Sequence, residues 1–252
     1  MDGPTIDETI LRAFRSARSV LAITGAGMSA DSGLPTYRGI GGLYEEAITD
    51  DGVPIEVALS GEMLASDPSV TWKHIARIEA ACRGAGPNDG HRVLARWESR
   101  FPRFTVLTQN VDGLHAAAGS RNVIEIHGDV HHLRCTGCAY GFTVASYESL
   151  PIPPRCERCD ALVRPEVVLF GEMLPSGAIQ KLQTELNRGF DLVLTIGTTS
   201  VFPYIATPVK MAALNRLPTI EINPGTTEVS EFVSHRIRTG AAAALLAIDR
   251  AL

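Results

Sequence analysis

The sequence predicts an α/β protein, a doubly wound parallel sheet carrying a smaller inserted domain, on three observations. Five short apolar runs, Ser19–Thr24, Phe104–Thr108, Asn122–Ile126, Asp191–Ile196 and Pro218–Ile222, are rich in Val, Ile, Leu and Thr and suit strands buried on both faces. Helical patterns lie between several of them, the alternation that a parallel sheet requires. Two segments break the rhythm: Gly39 to about Trp97, helical with Gly and Pro punctuation, and His131–Arg164, which holds four paired cysteines.

At 252 residues the chain suits a single catalytic domain with a sizeable core. Its large part is expected at about 1–43, 98–130 and 165–252, and its small domain at about 44–97 (helical) and 131–164 (cysteine-bearing). A net charge of −5 argues against direct nucleic-acid binding, which needs clustered Lys and Arg, and leaves basic peptides unrepelled. The longest apolar runs, such as Gly240–Ile248 and Val163–Phe170, fall short of the roughly 18 residues of a membrane span, so no membrane partner is expected. The opening MDGPTIDETILRAFRSAR places acids before bases, the reverse of a signal peptide, and a cytoplasmic location is expected. A monomer is the default.

Ligands of doubly wound sheets bind outside the carboxyl ends of the strands, so the residues after each run carry the chemistry. The first loop, Gly25-Ala26-Gly27-Met28-Ser29-Ala30, fits G-x-G-x-x-[GA], the Rossmann-like turn whose bare backbone approaches a pyrophosphate. A tight turn would use glycines equally well. A dehydrogenase would continue into a regular helix, whereas Pro35, Gly39, Gly41 and Gly42 forbid one here. The irregular segment carries Asp31, Tyr37 and Arg38 and is placed to fold over a dinucleotide and exclude water.

The second loop sets Gln109, Asn110 and Asp112 past a buried strand, a costly place for amides and a carboxylate without partners. Asn110 and Asp112 also suit helix caps; the carboxamides suit nicotinamide's own amide. The third loop puts His127 at a strand end with Gly128 behind it, the position of a general base titrating near neutrality. His91, His115, His131 and His132 are its rivals, and none directly ends a sheet strand. The fourth loop, Gly197-Thr198-Thr199-Ser200, and the fifth, Asn223-Pro224-Gly225, suit ribose and adenine, and equally an ordinary turn or cap.

Cys135 and Cys138, then Cys156 and Cys159 after a gap of 17 residues, match the C-x2-C-x15–20-C-x2-C spacing of a tetrahedral zinc site. Four thiolates leave no open position, so the zinc would be structural; iron–sulfur or redox roles are weaker alternatives. Cys82 stands apart and reads as a buried or inert thiol.

Together GAGMSADSGLPTYRG, TQNVDGLH, IHGD, CTGC with CERC, VRPEVVLFGE, IGTTS and EINPG resemble the sirtuin family, in its order and over nearly the whole chain. The resemblance implies a protein-lysine deacylase that consumes NAD, with structural zinc and an acyl-lysine protein or peptide entering between two domains. It implies that Gly25, Ala26, Gly27, Ala30, Asp31, Tyr37 and Arg38 line the NAD loop. Gln109, Asn110 and Asp112 then hold the nicotinamide side, and Gly197, Thr198, Ser200 and Asn223 the adenosine side. It further implies that the acyl oxygen attacks the ribose carbon bearing nicotinamide and that His127 takes a proton from a ribose hydroxyl. Products would be free lysine, nicotinamide and O-acyl-ADP-ribose, and the Phe170–Glu172 segment would pair with the substrate backbone.

Tyr37 stands where many relatives have Phe. Relatives that remove succinyl or malonyl groups carry Tyr-x-x-Arg in the helical insertion, whereas DPSVTWKHIARIEAACR lacks a Tyr and offers Trp72, His74 and Arg77. Neutral acyl groups, acetyl first, are therefore expected. An acidic acyl group held by Arg77, NAD hydrolysis and ADP-ribosyl transfer are the alternatives.

Overall fold

A computed structural model describes residues 4–36 and 48–252. Tyr37, Arg38, Gly39, Gly41 and Gly42 lie outside the described residues. The strands are β1 Ser19–Thr24, β2 Arg103–Thr108, β3 Val123–Glu125, β4 Gly128–Cys135, β5 Gly141–Thr143, β6 Val163–Val167, β7 Leu192–Ile196, β8 Thr219–Ile222 and β9 His235–Ile237. The helices are α1 Glu8–Ser16, α2 Ile55–Ala58, α3 Gly61–Ser66, α4 Pro68–Cys82, α5 Asp89–Arg100, α6 Leu114–Ala117, α7 Ser176–Asn187, α8 Pro203–Leu214 and α9 Ala241–Ala251.

All five predicted runs are strands of one parallel sheet, ordered β3-β2-β1-β7-β8-β9. Chain order reverses between β1 and β7, which is the switch point of a Rossmann-type sheet. Side chains of β1 alternate between two cores, as strand geometry demands. Val20 and Ala22 pack with Phe14, Val93, Leu94, Trp97 and Leu245, whereas Leu21 and Ile23 pack with Leu182, Ile205 and Val209. Both faces are covered, so the strands read as continuous apolar runs.

A second, antiparallel sheet, ordered β5-β4-β6, carries the cysteines. It shares one core with α2, α3 and α4, through Ile55, Leu64, Trp72, Ile75, Val130, Leu133, Tyr147 and Val163. Trp72 anchors that core, its Nε1–H donating to the Val163 carbonyl at 3.1 Å. Helices α2, α3 and α4 of the first interrupting segment thus pack on the cysteine-bearing one. Their observed limits differ: β4 starts at Gly128 and β6 runs to Val167, straddling the boundaries placed at 130/131 and 164/165. Helix α5 packs on the large sheet, because its apolar face, Val93, Leu94 and Trp97, meets α9 and β1.

The chain leaves β3, passes His127 and enters β4 at Gly128. Gly128 has φ +81°, and a Cβ there would lie 1.7 Å from the Glu166 carbonyl oxygen. By contrast a Cβ on Gly189, at φ +73°, would meet nothing within 4 Å. Gly128→Ala should therefore destabilise by about 3 kcal/mol or more, against about 1 kcal/mol for Gly189→Ala. Urea denaturation of the two variants checks this; equal midpoints would show that the β3–β4 junction relaxes freely.

Candidate active site

The loops after β1, β2, β3, β7 and β8 meet at one end of the large sheet. Gly25 N–H donates to the Ile196 carbonyl at 3.1 Å and Gly27 N–H to the Gly197 carbonyl at 2.8 Å. A Cβ on Gly25 would come within 2.7 Å of Thr198 Cβ, and one on Gly27 within 2.7 Å of Gly197 Cα. Glycine is required here because two loops touch backbone to backbone, the tight-turn reading rather than bare N–H groups awaiting an anion. Past this contact the first loop makes two short 3-10 turns, Ala26–Met28 and Ala30–Ser32. Ala30 and Asp31 are exposed. The Asp31 carboxylate accepts from Ala242 N–H at 3.0 Å and so caps α9.

Gln109, Asn110 and Asp112 tie the loops together. Gln109 Nε2 donates to Thr198 Oγ1 at 2.7 Å, and Asn110 Nδ2 donates at 3.1 Å to both the Gly25 carbonyl and Ser29 Oγ. Ser29 Oγ in turn donates to Asp112 Oδ2 at 2.6 Å, while Asp112 Oδ1 accepts from Leu114 N–H at 3.0 Å. Asp112 is thus both a helix cap and a member of the cluster. Thr198 is the hub, since its carbonyl also accepts from Asn223 Nδ2 at 3.2 Å and its Oγ1 from Ser200 N–H at 3.1 Å. Ser200 is fully buried in a left-handed conformation, φ 57°, and its hydroxyl faces Thr195. Ser29 lies inside a loop that the sequence singles out, yet its role follows only from the Asp112 contact.

His127 stands where the two sheets join. Its Nδ1 lies 3.0 Å from the Gln109 carbonyl oxygen, and its Nε2 lies 2.7 Å from the Tyr204 hydroxyl. A carbonyl only accepts, so Nδ1 carries the proton and Nε2 holds the basic lone pair. Burial pushes the imidazole pKa below its usual value, and the Gln109 carbonyl opposes this by favouring the charged form. Neutral, with a fixed tautomer, this side chain has the properties of a general base.

The rival histidines have other work. His115 bonds Thr24 Oγ1 at 2.9 Å, and burial, followed by the nearby His91, pushes it down to about 3. The His91 and His115 rings meet edge to face at 4.9 Å, and His91 closes the capping box of α5 with Asn88. His131 is held by Asp129 at 2.9 Å, a carboxylate contact that raises its pKa. His132 is exposed on β4. Sequence reasoning misses Tyr204 and the neighbouring Phe202, because VFPY gives no cue that α8 aims two rings at His127.

The four cysteine Sγ atoms lie within 4.8 Å of one another, with Cys135–Cys159 at 3.4 Å and Cys138–Cys156 at 3.7 Å. A tetrahedral zinc–thiolate site has edges of about 3.8 Å, so the donor set fits zinc. Backbone N–H groups of Gly137 and Arg158 donate to Cys135 and Cys156 sulfur at 3.2 and 3.4 Å, as they would to thiolates. The zinc cluster and His127 adjoin opposite ends of β4, roughly 20 Å apart along the strand, which leaves the metal a structural task. Burial, then the carboxylates of Asp112, Glu79 and Asp129, push the Cys82 thiol up to about 12, so it is inert.

The Phe170–Glu172 segment is largely occupied by its own chain. Phe170 N–H donates to the Leu59 carbonyl and its own carbonyl accepts from Gly61, while Glu172 grips the Arg164 guanidinium through both oxygens. Substrate pairing expected across the segment is therefore unavailable at the Phe170 backbone. In the helical insertion Trp72 is core, His74 bonds Asp51, and Arg77 makes a two-pronged bond to Asp50.

Comparison with known proteins agrees with this architecture. The Sir2 family model matches residues 25–203. The chain is 48% identical over 236 residues to NAD-dependent protein deacylase 2 of Pseudomonas aeruginosa, covering 92% of each protein. It is 36% identical over 233 residues to NAD-dependent protein deacylase 1 of Archaeoglobus fulgidus, again covering 92% of each. A solved Sir2 homologue in complex with NAD superposes with TM-score 0.87 at 34% identity, covering 100% of this chain and 95% of that one. A Sir2 variant bound to a deacetylated peptide and 3′-O-acetyl ADP-ribose superposes with TM-score 0.86 at 26% identity, covering 97% of each chain. By sequence and by fold, the chain belongs to the Sir2 family.

Proposed function

We propose that the chain is an NAD-dependent protein-lysine deacylase that prefers neutral acyl groups, acetyl first, with His127 as its general base. The observation that carries this is the base itself: a half-buried imidazole at the junction of the two sheets, its tautomer set by the Gln109 carbonyl. Relatives named as NAD-dependent protein deacylases, and a Sir2 structure holding a deacetylated peptide beside acetyl ADP-ribose, support the reaction class.

NAD supplies an electrophilic ribose carbon whose bond to nicotinamide breaks. The residues around the switch point fit such a ligand. Gln109, Asn110 and Asp112 present carboxamide and carboxylate groups on the nicotinamide side; Gly197, Thr198 and Asn223 form the adenosine side. Gly25, Ala26, Gly27 and Ala30 line the loop between; Tyr37 and Arg38 are assigned to the same ligand from the sequence alone. Asp31 and Ser200 serve the site indirectly, Asp31 by pinning the loop to α9 and Ser200 by holding the turn after β7. His127 Nε2 takes the proton from a ribose hydroxyl once the acyl oxygen has bonded to the ribose. The zinc held by Cys135, Cys138, Cys156 and Cys159 keeps the small domain folded. A cytoplasmic monomer suits the unbridged thiols and the acidic, mixed-charge composition.

Acyl preference rests on committed partners. Arg77 pairs with Asp50 in a half-exposed cluster that Lys73 shares, and Trp72 is sealed in the small-domain core, so the helix does not form the Tyr-x-x-Arg pair of relatives that take acidic acyl groups. An unpaired carboxylate in a dry channel is costly. Acetyl-lysine peptide should exceed succinyl-lysine peptide in kcat/KM by about tenfold or more. Equal rates for the two peptides would overturn the preference.

His127→Ala should lower deacylation by about 10²-fold or more, measured as acyl-dependent nicotinamide release. In the native enzyme the active form is neutral and its pKa is depressed, so the acid limb of kcat/KM should have its midpoint below pH 6.5. A midpoint above that value would contradict a buried base.

Zinc should be present at one per chain. Stripping it with a chelator should shift Trp72 emission to longer wavelength, since Trp72 and Tyr147 pack with tilted rings, centroids 5.6 Å apart, in the core beside the cysteines. Unchanged emission and melting after complete metal removal would rule out the structural role.

A further inference from the structure

The basic nitrogen of His127 is engaged within the chain itself. Nδ1–H is fixed on the Gln109 carbonyl, so the Tyr204 hydroxyl, 2.7 Å from Nε2, donates its proton to the only lone pair of the ring. Tyr204 is not a loose side chain. It is the second residue of α8, behind Pro203, and its ring stacks on Phe202 at 5.4 Å and 11°. Both rings meet His127 edge-on at 5.9 Å, and Tyr204 also packs against the Leu21–Ile205 core.

We infer that Tyr204 is a positioning residue that keeps the His127 lone pair occupied until the acylated ribose displaces it, and thereby suppresses wasteful hydrolysis of NAD. This rests on the reading of His127 as the general base. In that side reaction water attacks the ribose carbon, the bond to nicotinamide breaks with its electron pair leaving on nicotinamide, and the water's proton goes to Nε2. The products are ADP-ribose, nicotinamide and one proton.

An imidazole lone pair accepts from one donor at a time, and the more acidic hydroxyl holds it. Burial pushes the Tyr204 phenol up to about 12, still well below the value of about 15.7 for water. Water therefore loses the competition. The ribose hydroxyl wins only after the acyl oxygen has bonded beside it, because the acyl carbon then carries positive charge and acidifies that hydroxyl. Timing of the base is thus built into a single contact.

The test compares native enzyme, Tyr204→Phe, His127→Ala and the double variant, measuring nicotinamide release with NAD alone and with acetyl-lysine peptide. Tyr204→Phe keeps the stacked ring and removes only the hydroxyl. It should raise peptide-independent release about fivefold, the factor that one ordinary hydrogen bond represents. The ratio of nicotinamide released to peptide deacylated should rise above one. In the His127→Ala background the same substitution should add nothing. No rise in Tyr204→Phe, or an equal rise without His127, would overturn the role of Tyr204 alone. Full deacylation by His127→Ala would instead remove the base assignment on which it stands.

Discussion

The site depends on one backbone contact. At the switch point of the large sheet the loops after β1 and β7 press together, with Gly27 N–H on the Gly197 carbonyl at 2.8 Å and no room for a Cβ on Gly25, Gly27 or Gly197. Because the loops touch directly, Thr198 lies within reach of Gln109 from β2 and Asn223 from β8. A side chain in that seam would part the loops and break the hydrogen bonds radiating from Thr198. Four strand ends are thus fixed against one another by the chain's own contacts, the preorganisation that a positioned reaction needs.

The second constraint is the passage from one sheet to the other. Strand β3 ends beside β2 in register Thr108↔Glu125, so the residues that follow, Gln109 and His127, are neighbours by construction. Gly128 turns the chain into β4 in a conformation only glycine tolerates, and Val168 N–H donates back to the His127 carbonyl at 2.9 Å. His127 is held by the backbone on both sides. It stands between a sheet that gathers the loops and the sheet that carries the four cysteines.

Much of this is legible in the chain. Strands buried on both faces must be apolar throughout, so Ser19–Thr24 or Asp191–Ile196 announce themselves, and cysteine spacing encodes tetrahedral geometry directly. What escapes has weak or remote signals. Strand β9 is three residues, His-Arg-Ile, at a sheet edge, too short and polar to stand out. The allegiance of α5 is hidden because an amphipathic helix advertises an apolar face and not its partner. Asp31 meets Ala242, and Tyr204 meets His127, across 211 and 77 residues of sequence, and no local pattern foretells such pairs. That Trp72 is core is equally hidden, because a lone indole in a helix looks alike whether it faces a ligand or a core.

Electrostatics separates His127, the proposed base, from the other histidines. A base working near neutrality must be uncharged beforehand, yet able to carry a proton briefly. His115 fails the second condition: buried against His91 and bonded to Thr24, it is pushed down to about 3. His131 fails the first, since the Asp129 carboxylate holds its proton more firmly than water would. His127 is depressed by burial, but the Gln109 carbonyl faces its Nδ1–H and stabilises the imidazolium when it forms. That carbonyl is available because Gln109 is the first residue beyond β2 and its N–H is anchored on Thr24 of β1. The proton affinity of His127 is therefore set by the register of the sheet.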